Sequence, residues 1–244
     1  YLRVNKINLA QAGHYHLKNK SWKKFLLSVN KGDVVIFKLE IPAGKNLFEI
    51  KKILSESNLT NDCNNFKCLD DRYNFIEGTL KPDTYFYKNT ASLTKLLHQS
   101  QEEFYQSANS FWLDKSPDLP LNNLADALIL ASIVEKEAGN EDEKSVIAGV
   151  FLHRLSIGMK LQADPTIIYG LMPDFNGNIT KANLKDKNNP YVNVTEEIQC
   201  ASCFMDISSP VPIFNIWSGL PLLSKGAFAE LGCQFSRRNI IAEA

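Results

Sequence analysis

The sequence predicts an α+β fold, a small strand-and-helix unit followed by a mainly helical part, and three observations carry that prediction. Val34 to Ile41 is β-rich, with Val34, Val35, Ile36, Phe37, Leu39 and Ile41, and it opens at a Gly32-Asp33 turn. Leu47, Ile50, Ile53 and Leu54 then follow at the spacing of one helix face. From residue 92 onward, apolar residues keep helical spacing in successive runs broken by Pro, Gly and Asn. A chain of 244 residues that is 44% hydrophobic and 22% charged has a globular composition, long enough for one large domain or two ordinary ones.

The expected organisation is an N-terminal segment over 1–30, a subdomain over 31–90 and a larger domain over 91–244. In the first, Ser21 to Val29 is apolar, basic and helix-like, and His14 and His16 are expected to face solvent. In the second, Pro42 to Asn46 makes the turn between strand and helix, and 57–75 is rich in Ser, Asn and Asp, hence a loop. Phe75 to Tyr87 has strand character around a Pro82-Asp83 turn, where Glu77 and Asp83 read as architectural acids.

In the third, a long helix is expected from Ser92 to about Trp112, with Leu93, Leu96, Leu97, Phe104 and Phe111 as its apolar stripe; Pro117 and Pro120 end it. Asn122 or Asn123 can cap the next helix, which is apolar on every side from Ala127 to Val134 and so belongs in a core. It closes with Glu135, Lys136 and Glu137 before Gly139, and the short connector 138–140 forces a helix hairpin. Asn140 and Glu143 form a capping-box pattern for the partner helix, whose Val146, Ile147, Val150, Phe151 and Leu155 continue until Gly158. Asp164 is placed as an N-cap with Pro165 at N1 of a last helix.

Chemistry concentrates at the Glu-Lys-Glu end. A glutamate in a last helical turn meets the negative end of the macrodipole, and a partly apolar setting also disfavours its charge, so both effects raise its pKa. A carboxyl that keeps its proton near neutral pH is what a general acid needs. Two residues apart on a helix is about 200° of rotation, so only one of the pair faces a cleft. Glu137 shares its face with Leu130, Ile133 and Val134, and is the preferred acid; Glu135, beside Leu128, Ala131 and Ser132, is the alternative. Solvated charges on a fraying helix end are the competing reading of both.

The block ASIVEKEAGNEDEKSVIAGVFLHRLSIGMKLQADPTIIYG resembles the signature of the YceG-like endolytic murein transglycosylases, and the upstream Glu77-Gly78-Thr79-Leu80-Lys81-Pro82-Asp83-Thr84-Tyr85 resembles the same family's second motif. The resemblance covers about residues 30 to 191 and implies that the catalytic glutamate is Glu137, with Glu135 as the less favoured position. It makes Gln162, Asp164 and Thr166 candidates for orienting sugar hydroxyls and acetamido groups, with Tyr191 as a further substrate-binding candidate; Arg154, late on its helix, is a candidate for an anionic lactyl or peptide group, with a helix-dipole partner or surface ion pair as the competing reading. It implies peptidoglycan glycan strands as substrate, cell-wall synthases as neighbours, cleavage between N-acetylmuramic acid and N-acetylglucosamine to leave 1,6-anhydromuramyl ends, and no cofactor. It also implies one N-terminal membrane helix, absent from this chain, with the bulk outside the cytoplasm. The strand, Gly turn and helix from residue 31 resemble the opening of a LysM module, a βααβ unit that binds wall glycans.

Other function classes are bounded by composition. Lys plus Arg equals Asp plus Glu at 27 each, which removes any bulk electrostatic case for nucleic acid or an anionic membrane surface. No run of about 20 apolar residues suits a membrane span. The five cysteines, Cys63, Cys68, Cys200, Cys203 and Cys233, are an odd number and are expected to form no disulfide framework. Cys200 and Cys203 have the spacing of a zinc or redox half-site, but lack the further ligands that a tetrahedral metal needs, so no metal is expected. After Tyr191 the family pattern stops, and 192–244 reads as a diverged or frame-shifted tail. The alternative function is therefore a catalytically impaired ectodomain that only binds peptidoglycan.

Overall fold

A computed structural model of the chain describes residues 13–189 apart from 90 and 118. Helix α1 (Trp22–Lys31) begins where the Ser21 side chain accepts the Lys24 N–H and ends at Gly32, whose φ of 70° is the left-handed conformation that glycine adopts without steric cost. Strand β1 (Ile36–Ile41) pairs antiparallel with β2 (Asp83–Lys88), Leu39 opposite Tyr85 and Ile41 opposite Asp83, in a two-stranded sheet. Between the strands lies α2 (Leu47–Ser55), closed at its start by a full capping box: Asn46 accepts from the Glu49 N–H, and Glu49 accepts from the Asn46 N–H.

The expected loop between α2 and β2 is irregular except for one 3-10 turn at Asn64–Phe66, which stands where a βααβ unit would carry its second helix. The cysteine expectation is corrected here. Cys63 and Cys68 flank that turn with their Cα atoms 5.4 Å apart, and they form a disulfide. An odd total of cysteines says nothing against a local pair that a turn brings together. Cys200, Cys203 and Cys233 lie outside the described residues.

Helix α3 (Leu93–Leu113) starts at Ser92, whose hydroxyl accepts the Lys95 N–H, and runs through two cores. Its first turns place Leu93, Leu96 and Leu97 with Leu39, Ile41, Ile50, Leu80 and Tyr85 from the sheet unit. Further along, Phe104, Tyr105 and Ala108 pack with Leu128, Leu130, Ile133 and Leu161. Helix α4 (Leu124–Glu137), capped by Asn123, is buried from Asp126 through Val134, as a helix apolar on every side must be. It packs against α3, against α5 (Glu141–Ser156) and against α6 (Asp164–Gly170).

The α4–α5 hairpin is tied by Glu143. Asn140 accepts the Glu143 N–H, and the Glu143 carboxylate accepts the Gly139 N–H, one residue before the position that a regular capping box would use. The end of α6 is fixed by buried Asn189, whose amide donates to the Ile167 carbonyl at 3.1 Å. A Cβ on Gly170 would lie 2.0 Å from Asn189 Oδ1. We expect Gly170→Ala to cost about 1–3 kcal/mol by displacing that amide, read as a lower urea midpoint. Adding Asn189→Ala should then cost little more, because the two changes share one contact.

Candidate active site

The last turn of α4 delivers its two glutamates to different surroundings. The Glu135 carboxylate lies 2.9 Å from Lys144 Nζ on α5, with the two side chains only 12% and 6% exposed, and Gly44 of the β1–α2 turn packs against it. Lys144 also meets Glu141 at 2.6 Å, but that carboxylate is 74% exposed and contributes little. The ammonium of Lys144 is buried, and its two carboxylate partners hold its pKa above the ordinary value against that burial. Glu135 is thus neutralised by a structural cation. Removing the cation leaves a carboxylate with little access to water, so Lys144→Met should destabilise the fold by about 3 kcal/mol, the low end of a broken buried pair. Thermal melts of Lys144→Met beside Glu135→Gln/Lys144→Met check this: the double variant should recover most of the loss.

Glu137 has no such ammonium beside it in α5. It is exposed at the surface as a residue, yet enough protein crowds its carboxyl that burial raises its pKa. The Asp164 carboxylate raises it further, while the Asp164 backbone N–H and the Arg154 guanidinium act in the opposite sense and support the charged form. The carboxyl is one-sided, with protein behind it and solvent before it. A raised pKa and an open side are two properties that a general acid requires.

The neighbours come from the α5–α6 connection. Arg154, in the last turn of α5, donates from Nη1 to the Leu161 carbonyl and so pins the loop that leads into α6. Gln162 is exposed with φ at 55°, the left-handed region that a non-glycine residue enters only under local constraint. Asp164 corrects the sequence expectation. Ala163 is the N-cap of α6 and Asp164 is its first residue, with no side-chain cap bond, so the Asp164 carboxylate is left facing out beside Glu137. Thr166 is 3% exposed and its hydroxyl donates to the Ala163 carbonyl at 2.8 Å, which occupies it within the helix start. The structure therefore gathers Glu137, Arg154 and Asp164 and sets Gln162 two residues from Asp164. It sends Glu135 toward Lys144, and Tyr191 lies outside the described residues.

A groove of about 680 Å³ runs between β2 and the first half of α3, lined among others by Tyr85, Phe86, Lys95 and Gln99. None of the glutamates of α4 lines it. The group that sequence reasoning placed but undervalued is Glu77. It is 5% exposed, accepts the Leu47 N–H at 2.6 Å and accepts the Tyr169 hydroxyl at 2.7 Å. Burial pushes its pKa up to about 7, against the pull of these two donors. Its place before a glycine in a motif signalled a turn, but no local pattern signals a partner 92 residues away.

The chain is similar to known proteins in sequence and in fold. The sequence model of the YceG-like family matches residues 1–195, so the match begins well before the residue 30 reached by motif reading. A protein of Streptococcus pneumoniae named endolytic murein transglycosylase is 27% identical over 207 residues, covering 69% of this chain and 37% of that protein. One of the same name from Bacillus subtilis is 32% identical over 97 residues, covering 38% of this chain and 26% of that protein. The chain thus spans 37% of the length of the pneumococcal relative it matches. A crystal structure of a YceG-like protein from Listeria monocytogenes superposes with a TM-score of 0.53 at 21% identity, over 92% of this chain and 80% of that one, a likeness of fold alone.

Proposed function

Because the chain belongs to the YceG-like family, we propose that it is an endolytic peptidoglycan lytic transglycosylase with Glu137 as its acid and base. The observation that carries the proposal is the Glu137 carboxyl at the end of a buried helix, its pKa raised, with Asp164 and Arg154 beside it. The protonated acid gives its proton to the glycosidic oxygen between N-acetylmuramic acid and N-acetylglucosamine, and the C1–O bond breaks. The resulting carboxylate then takes the proton of the muramyl C6 hydroxyl as O6 closes on C1. The product is a 1,6-anhydromuramyl end, no water is consumed, and the acid is regenerated.

A hydrolase of two carboxylates needs the second one to activate water or to attack the sugar. Here the second carboxylate, Asp164, has a different task open to it: its charge lies beside Glu137 and can stabilise the positive charge that develops at C1. Arg154 holds the Leu161 carbonyl and keeps the loop bearing Gln162 in place, and Gln162 offers an amide to the acetamido and hydroxyl groups of the strand.

The remainder of the reading follows the family. The substrate is the nascent glycan strand, the neighbours are the synthases that make it, and the catalytic part is held outside the cytoplasm by a membrane helix. Among the described residues no helix is long and apolar enough to cross a membrane. The Cys63–Cys68 disulfide supports an oxidising compartment. The family match stops at residue 195, which supports the reading of the following residues as a tail that departs from the family pattern.

The test is to incubate the protein with isolated glycan strands and analyse the new ends by mass spectrometry. Internal cleavage giving anhydromuramyl ends, each one water lighter than a reducing end, supports the proposal. Reducing ends in their place would show a hydrolase, and binding to insoluble wall with no released product would favour the impaired ectodomain.

A further inference from the structure

Glu137 owes part of its environment to the first residue of α6, and the last turn of α6 is tied to a different part of the molecule. Tyr169 is buried there and donates its hydroxyl to Glu77 Oε2 at 2.7 Å. The other oxygen of Glu77 accepts the Leu47 N–H at 2.6 Å, the first residue of α2. Glu77 is 5% exposed, so this carboxylate sits between the sheet unit and α6 with both oxygens committed. The other charge that acts on it is that of Glu49 on α2. Helix α6 has 7 residues, with Asp164 first and Tyr169 in its last turn, so the two belong to one short helical segment and a hold on Tyr169 bears on where the Asp164 N–H points.

We infer that Glu77 and Tyr169 are positioning residues for the acid: they clamp α6 against the start of α2, and α6 in turn presents the Asp164 N–H to the Glu137 carboxylate. This rests on the reading of Glu137 as the acid only for its effect on rate. Its structural content stands without turnover. Direct electrostatics is a poor carrier of the effect, because the charges that set the Glu137 carboxyl are those of Asp164 and Arg154.

The test is Tyr169→Phe, which keeps the ring in the core and leaves the Glu77 bond to α2 intact. The carboxyl of Glu137 is titrated by carbon-13 NMR in this variant and in the unmodified protein. Loss of the Asp164 N–H removes a group that favours the charged form, so the Glu137 pKa should rise by about half a unit. On glycan strands kcat should fall about tenfold with KM within twofold, and the alkaline limb of the kcat profile should move up in pH with the titration. Glu77→Met, which cuts both bonds while keeping bulk, should act in the same direction and serves where Tyr169→Phe does not fold. Glu77→Gln should recover much of the effect, since its amide can accept from Leu47 and donate to the Tyr169 oxygen.

An unchanged Glu137 titration in a folded Tyr169→Phe protein overturns the inference. If the unmodified protein shows no turnover, the functional proposal falls while the titration still decides whether the clamp exists.

Discussion

Replacing Glu137 by Gln should lower the rate of anhydromuramyl release by roughly 10²–10⁴-fold, the span that a positioned general acid and base contributes. Gln is nearly isosteric, keeps an oxygen for the Asp164 N–H, and cannot give a proton to the departing sugar oxygen. Because the same group must take the C6 proton in the second half of the reaction, no partial route survives through it. Substrate binding should be retained, so KM should change little and the variant should still co-sediment with insoluble wall. The pH dependence follows from the direction of the shift. Leaving-group departure needs the protonated acid, whose pKa lies above the ordinary 4.5, so the rate falls as pH rises through that raised value. Glu135→Gln is the control: it should leave turnover in place and register in stability, through Lys144. Equal loss of turnover in both variants would remove Glu137 from its role.

The second large effect concerns stability. Glu77 has a folded pKa of about 7 against an ordinary value of 4.5. In the folded protein it therefore holds its proton across a range where the unfolded chain has lost it. Its contribution is fully present below about pH 4.5 and is lost as pH rises to about 7. The difference amounts to up to about 3 kcal/mol from this one group, at about 1.4 kcal/mol per unit. Urea unfolding at several pH values should show stability falling between pH 5 and 8 on top of other groups, and Glu77→Gln should flatten that slope. At pH 8 the Gln variant should be the more stable protein, because it carries no charge into the core. A Gln variant with the same slope as the unmodified chain would show that burial does not set the titration of this group.

Elements were legible where local chemistry determines them. Asn46, Ser92, Asn123 and Asn140 each cap the helix that apolar spacing predicts, and the all-apolar run from Ala127 to Val134 is buried as its composition requires. The end of β1 at Ile41 was legible too, whereas its start was placed two residues early because Val34 and Val35 share the β preference of the strand. What was illegible is what depends on distant partners. Asp164 looked like a cap because an Asp before Pro usually is one, but Ala163 holds that position and the carboxylate is free to face Glu137. Thr166 looked like a ligand because a hydroxyl near a helix start can serve as one, and only the fold shows it bonded to Ala163. Lys144 stood among the acids of an α5 first turn, with no local sign that its partner was Glu135 on another helix.

Helix α3 joins what the sequence suggested were separate halves. At 21 residues it is about 30 Å long, with its leading turns embedded in one core and its later turns in the other. It acts as a shared beam, so neither half can melt without stripping cover from the other. A fragment cut at residue 91 would lay bare Leu93, Leu96 and Leu97 as an apolar stripe and should clump, whereas the intact chain should show amide protection that is continuous along the whole beam.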